Sequence, residues 1–352
     1  MAVTYNGEIL RKLSYEDLKS YTNNFSKENY IGEVMFGKLY RGEISVDVVV
    51  KKPVAVKIWE EPTKYCFSTH DNHHRLMDEI HFLVHDPIEH ESFVKLYGYC
   101  WEGENLGVVY DFKPLDMVSK VVFNDGFDWR CRIKVAIQLA QFLRLVHKRS
   151  WGMKPCILRN IDAAHIVIDE DYIPKFCDFG MVSGGIFPNK AQQKGQFING
   201  SYGYTDTTAH IFHCSWSQGT DVFAFGVVLL GLISNRFFTE EDRQACNPHV
   251  CDWADEQYYG KPEYTDYFCD EEVTDCKSDD YDESGETKRC LVHESLQTDP
   301  FFYTTDGFGI TTLAVRCASF YPSLRPTMKN VVKRLFKLKV VKDHPEYFGV
   351  RP

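Results

Sequence analysis

No stretch of this sequence approaches the roughly 20 consecutive apolar residues that a membrane-spanning helix needs. The run Val222–Ile233 is too short and is interrupted by Gly226 and Gly231. The start, Met1-Ala2-Val3-Thr4, lacks a signal-peptide pattern. It also lacks the Gly at position 2 that myristoylation requires, and no Cys precedes Cys66 to accept a palmitate. These absences predict a soluble intracellular protein. An excess of Lys and Arg is missing too, since the formal net charge is -10. That argues against a general nucleic-acid binder, because phosphates are gripped by clustered cations. It argues equally against docking on anionic membrane by charge alone. The twelve Cys are scattered rather than framed, which predicts reduced thiols. Cys246, His249, Cys251, Cys269, Cys276 and Cys290 lie closer together, but no C-x-x-C pair occurs among them. Ordinary loop thiols therefore outweigh a zinc site.

What is present suffices for a sizeable core. The 352 residues are 44% hydrophobic, which suits one two-lobed domain or two small ones. Ser14 predicts a helix cap, with Leu18 and Tyr21 following on one helical face. Short β-like runs come next at Lys38–Arg41, Asp47–Lys51 and Val54–Ile58. A helical pattern covers His74 to Val84, and strand-like runs return at Val94–Tyr99 and Leu106–Phe112. From about residue 115 the pattern is helical, with one long amphipathic helix predicted over Trp129–His147. A β-rich first third before a helical remainder predicts an α+β protein of two lobes. Residues 240–288 hold seventeen Asp and Glu against four Lys and Arg, which leaves the rest of the chain at about +3. Such a charge run predicts a solvated, exposed surface insertion, with Tyr258, Tyr259, Tyr264 and Tyr267 offering a docking surface for a basic partner.

Several short motifs fall in a fixed order. Ile31-Gly32-Glu33-Val34-Met35-Phe36-Gly37 lies between β-like runs and has the outline of a glycine-rich phosphate loop, with Val34 at its middle glycine. Backbone N–H groups approach phosphates best where no Cβ intervenes, so Val34 predicts a hindered approach. Pro53-Val54-Ala55-Val56-Lys57 follows on a strand, and Glu79 sits on the next helix, placed to hold Lys57. Tyr110-Asp111-Phe112-Lys113 comes next. Lys175-Phe176-Cys177-Asp178-Phe179-Gly180 carries a D-F-G segment, whose Asp178 offers hard oxygen donors. Asp221 to Leu230 and Arg325-Pro326-Thr327-Met328 complete the series.

On these motifs the chain resembles plant receptor-like kinases of the Pelle type from about Ser14 to Leu338, and within them the cytoplasmic subgroup. Asn23-Asn24-Phe25-Ser26, Leu96-Tyr97-Gly98-Tyr99-Cys100 and Asp128-Trp129-x-x-Arg132 are the segments particular to that group. The resemblance implies a bilobal kinase fold with an N-terminal extension over 1–30 and an N-lobe with hinge over 31–113. The C-lobe would run over 114–340 and contain the acidic insertion, with a tail over 341–352. It further implies a nucleotide site built from Gly32, Val34, Gly37, Ala55, Lys57, Glu79, Tyr110, Phe112 and Val167, with Asp178 as a Mg2+ ligand. Leu158, Phe179 and Leu83 would stack as a spine joining the lobes.

The catalytic loop departs from the family pattern H-R-D-x-K-x-x-N, because it reads Leu158-Arg159-Asn160-Ile161-Asp162-Ala163-Ala164-His165. Asn160 replaces the base with a neutral amide, and loss of a general base typically costs about 10²–10⁴ in rate. Asp162 reverses the charge of the phosphate-neutralising lysine, although it could also serve as a substitute carboxylate. His165 stands where an oxygen ligand for a second metal is expected, a poor exchange for a hard ion. The pattern therefore implies weak ATP binding with one Mg2+ ion at most. The Pro-Glu pair of the family's G-T-x-G-Y-x-D-P-E-Y segment is Thr207-Thr208; the resemblance implies that this Glu would pair with Arg325, which then needs another partner or sits in a wetter site. Arg159 survives and would grip a phosphorylated activation segment or bond local carbonyls. That segment offers Ser183, Ser201, Tyr202, Tyr204, Thr205, Thr207 and Thr208 as acceptors. The expectation is a pseudokinase scaffold or adaptor in plant signalling, including immune signalling. Its partners would be active receptor-like kinases, immune receptors or pathogen effectors, met in the cytoplasm or at the plasma membrane through those partners. The alternative is an active atypical serine/threonine kinase.

Overall fold

The computed structural model describes residues 4–5, 8–45, 50–60, 72–85, 88–151, 154–180, 203–206, 217–238, 242, 244, 249–259 and 289–349. The N-terminal lobe is a six-stranded sheet. Its strands are β1 (Arg11–Leu13), β2 (Tyr30–Val34), β3 (Gly37–Ser45), β4 (Lys51–Trp59), β5 (Leu96–Glu102) and β6 (Asn105–Tyr110). The spatial order is β1-β5-β6-β4-β3-β2, with β1 parallel to β5 and the other pairs antiparallel. Helix α1 (Tyr15–Tyr21) covers one face. Ser14 caps it in a reciprocal box with Asp17, and its Leu18 is buried. Helix α2 (Asn72–His85) packs on the other side with Leu76, Ile80, Phe82 and Leu83 buried. Both faces being covered explains why the second half of β4 is buried without alternation.

The C-terminal lobe is helical around α3 (Trp129–His147), α4 (Gln218–Ser234), α5 (Val250–Tyr259), α6 (Thr304–Cys317), α7 (Met328–Leu335) and α8 (Lys339–Asp343). A small sheet fronts it in the order β9 (Pro174–Phe176), β8 (Ile166–Asp169) and β7 (Pro114–Met117). Asp128 caps α3 by accepting from Cys131 N at 2.8 Å. Arg132, in the same opening turn, is buried and donates to the Phe127, Val122 and Leu232 carbonyls and to Asn235. It thereby sits on the negative C-terminal end of α4, which stops at Asn235 in the left-handed conformation (φ 56). Burial lowers its pKa to about 10.

The acidic run needs a correction. Val250–Tyr259, expected within a solvated insertion, forms α5, with Val250, Ala254 and Tyr258 buried and the Tyr258 hydroxyl 3.0 Å from Thr312 Oγ1 of α6. Apolar residues at positions 250, 254 and 258 give the helix a buried stripe despite its acidic neighbours. Residues 260–288 lie outside the described residues. So do Ser183, Ser201, Tyr202, Thr207 and Thr208, while Tyr204 is enclosed at 7% exposure and is no open acceptor.

Candidate active site

Lys57 projects from β4, opposite Leu39 and Val108 in register, and Glu79 projects from α2. Asp178 follows β9. Lys57 Nζ lies 2.6 Å from Glu79 Oε2 and 2.7 Å from Asp178 Oδ1. All three are buried, at 0%, 0% and 3% exposure. Burial pulls the Lys57 ammonium towards neutrality, but Asp178 and Glu79 outweigh it and raise its pKa. Burial also drives Glu79 up despite Lys57. Asp178 is held below the usual carboxylate value: burial opposes its charge, but Lys57, His165 and the Asn160 amide overcome that penalty. Tyr110 ends β6, fully buried, with its hydroxyl donating to Glu79 and lying 2.9 Å from the Cys177 carbonyl. It is thus the back wall that holds Glu79. Phe112, just beyond, is partly buried against the core.

The glycine-rich segment is a tight hairpin, with Val34 paired to Gly37. Its tip, Met35 and Phe36, is buried at 2% and 1% exposure. The Met35 N–H donates to Asp178 Oδ2 at 3.2 Å, and the Arg75 guanidinium of α2 lies 3.9 Å over the Phe36 ring. The Trp59 ring lies 4.1 Å from Lys57 Nζ. Ala55 and Val167 are buried, and Val167 pairs with Met117, whose sulfur packs so closely on Gly32 that a Cβ there would lie 2.4 Å away. At Gly37 a Cβ would lie 1.9 Å from the Ile58 carbonyl oxygen, so hairpin packing alone requires that glycine. Met35, Phe36, Trp59 and Met117 had not been singled out. For Met35 and Phe36 the signal is an apolar Met-Phe tip inside a motif read for its glycines, whereas Trp59 and Met117 stand outside every motif.

In the catalytic loop Asn160 is buried and its Nδ2 donates to Asp178 Oδ2 at 2.7 Å. A carboxylate only accepts, which fixes this amide orientation. Asn160 Oδ1 is buried without a hydrogen-bond partner among the described residues. His165 is buried, with Nδ1 3.2 Å from the Asn160 carbonyl, so that nitrogen carries the proton. Asp162 accepts from Ala164 N at 2.8 Å within its own loop. Asp221 of α4 anchors the loop by accepting from the Leu158 and Arg159 N–H groups, each at 2.9 Å. Arg159 has φ 67, and burial, opposed by Asp221 and Asp78, lowers its pKa to about 10. Leu158, Phe179 and Leu83 share one buried core, but the ring stacked on Phe179 is Phe82, at 4.9 Å.

The profile for the protein tyrosine and serine/threonine kinase family matches residues 25–281. The chain belongs to the protein kinase family. It is 29% identical over 346 residues to an EPD1-interacting receptor-like cytoplasmic serine/threonine-protein kinase of Nicotiana benthamiana, covering 96% of this chain and 66% of that protein. It is 30% identical over 249 residues to the probable serine/threonine-protein kinase PBL16 of Arabidopsis thaliana, covering 68% of this chain and 58% of the relative. A third similar protein is the serine/threonine-protein kinase BIK1 of Arabidopsis thaliana, 26% identical over 343 residues, with 95% and 78% covered. The chain therefore spans less than two thirds of the length of PBL16 and about two thirds of that of the Nicotiana relative.

A protein kinase uses ATP and Mg2+. The residues around Asp178 do not fit the Mg2+ ion as arranged here. Both Asp178 oxygens already accept from protein donors, and His165 offers a protonated nitrogen to a carbonyl. Among the described residues no group of His, Cys, Asp and Glu is arranged to hold a metal ion, and no helix is long and apolar enough to cross a membrane. Elsewhere in this kinase domain Arg325 finds Asp206, immediately before the altered Thr207-Thr208 pair. Its guanidinium grips both carboxylate oxygens, one contact at 3.0 Å, with the two side chains 1% and 2% exposed.

Proposed function

We propose that this chain is a catalytically impaired member of the plant receptor-like cytoplasmic kinases, acting as a signalling scaffold or adaptor and keeping an ATP-type site of low affinity. The observation that carries the reading is Asn160. Its amide donates to Asp178 and has no basic atom with which to take a proton from a substrate hydroxyl. Asp162, two residues on, is engaged with Ala164 N. A fold that keeps its packing while its phosphoryl-transfer groups are rearranged suits binding better than turnover. Partners of the proposed kind are active receptor-like kinases, immune receptors or pathogen effectors, met in the cytoplasm or at the plasma membrane through the partner. A plant-extract pull-down identifies them.

The second reading, an active atypical serine/threonine kinase, is favoured by the assembled Lys57, Glu79 and Asp178 and by the names of the relatives. Phosphoryl transfer depends mainly on positioning and charge, so a missing base alone does not abolish it. Phosphotransfer with purified protein, with Lys57→Ala as control, separates the two. Transfer at or near the control level supports the scaffold. Transfer that Lys57→Ala removes, and that Asp162→Asn also removes, establishes the atypical enzyme.

A further inference from the structure

Asp178 is the most heavily bonded group in the cleft. Lys57 Nζ takes Oδ1 at 2.7 Å, while Asn160 Nδ2 at 2.7 Å and Met35 N at 3.2 Å share Oδ2. These donors come from β4, the catalytic loop and the tip of the glycine-rich hairpin, so one carboxylate ties three separate segments. An aspartate at position 160 could not take part, because its oxygen would face Asp178 Oδ2 at hydrogen-bond distance with no proton between them. Two carboxylates that close require a cation or a proton. An asparagine in the same volume supplies the proton itself.

We infer that Asn160 is a positioning residue that clasps Asp178 so that the glycine-rich hairpin closes on it without a divalent cation. The exchange of base for amide does more than remove a catalytic group, since it makes the closed cleft independent of metal. This deepens the scaffold reading by defining the form presented to partners, a closed one whose stability and hairpin position do not follow Mg2+.

Thermal unfolding and amide exchange of the full chain in EDTA and in millimolar MgCl2, without nucleotide, test this. The wild type is expected to melt at one temperature in both, with the Met35 amide protected in both. Asn160→Asp is expected to melt several degrees lower in EDTA and to recover with Mg2+, with Met35 exchange fast in EDTA and slowed by the metal. Asn160→Ala, which removes the donor without adding charge, is expected to lose Met35 protection and gain no response to Mg2+. The clasp is overturned if the wild type itself requires Mg2+ for Met35 protection. It is equally overturned if Asn160→Ala leaves that amide as protected as before. These two readouts stand even if Asn160→Asp does not fold. The outcome is separable from the scaffold reading. Wild-type phosphotransfer with a metal-independent hairpin would defeat that reading and leave the clasp. An inactive wild type with a metal-dependent hairpin would do the reverse.

Discussion

Arg325 illustrates how much one residue depends on context. Its pairing with Asp206 is bidentate and buried, and the guanidinium also lies 4.9 Å from the Phe223 ring and donates to the Ser319 carbonyl at 2.8 Å. Removing one partner of such a pair leaves a charge stranded in low dielectric, which costs about 3–5 kcal/mol. Asp206→Ala should lower the unfolding free energy by about that amount in a denaturant titration. The double change Asp206→Ala with Arg325→Met should recover part of the loss, because no unpaired charge remains. Equal losses in the single and double variants would show that the pair is solvated after all. The sequence revealed that Arg325 had lost its usual partner. It did not reveal the substitute, since Asp206 lies 119 residues away and only the fold brings it there.

At the scale of elements, the loop between α2 and β5 carries a titratable switch. The Ser92 N–H donates to His90 Nδ1 at 3.1 Å, and the ring lies 6.2 Å from Phe142. Burial depresses the His90 pKa, against the Gln141 hydrogen bond and Glu91, while Lys175 and Arg144 add to the depression. The unfolded chain therefore takes up the proton first as pH falls. Stability from this site is fully present above about pH 6.5 and is lost as pH drops towards the folded value. His90→Gln should flatten the stability profile below about pH 6.5, and an unchanged slope would remove His90 as the cause. The hairpin between β2 and β3 gives a second prediction. Gly37→Ala places a methyl against the rigid Ile58 carbonyl and should cost at least about 1–3 kcal/mol. Gly32→Ala meets only the flexible end of Met117 and should cost less. Similar losses at both positions, measured in the absence of nucleotide, would refute this ranking. The strands and long helices were legible because their apolar periods are strong: Trp129–His147 matches its expected span. Lys57, Glu79 and Asp178 were legible as motifs, but their enclosure was not. It comes from side chains at the hairpin tip, whose direction no periodicity encodes. Helix α5 was misjudged because net charge masked three apolar residues at helical spacing.

Across the whole molecule, the same contacts that close the cleft bind the lobes together. Met35 reaches Asp178, the Lys120 ammonium bonds the Ile31 carbonyl, and Arg41 bonds the Leu115 carbonyl and faces Asp116 at 3.7 Å. With Met35 bonded to Asp178, a nucleotide is expected to lift the hairpin before its phosphates approach Lys57, which would reduce its apparent affinity by the fraction of molecules already open. Phe36 should dominate that fraction, since its buried ring lies under the Arg75 guanidinium. Wild-type protein in millimolar ATP should gain less than about 2.7 kcal/mol, the value reached at a hundredfold excess over Kd. Phe36→Ala removes the plug, so its basal stability should fall by about 3–5 kcal/mol, while the further gain on adding ATP should exceed that of the wild type. Both quantities come from one thermal-shift titration with and without Mg2+. A wild-type gain above the stated value that requires two Mg2+ ions would mean the phosphate site is already formed. A Phe36→Ala gain no larger than the wild-type one would place the obstacle elsewhere, at Val34 or in the charge of Asp162 rather than in the closed hairpin.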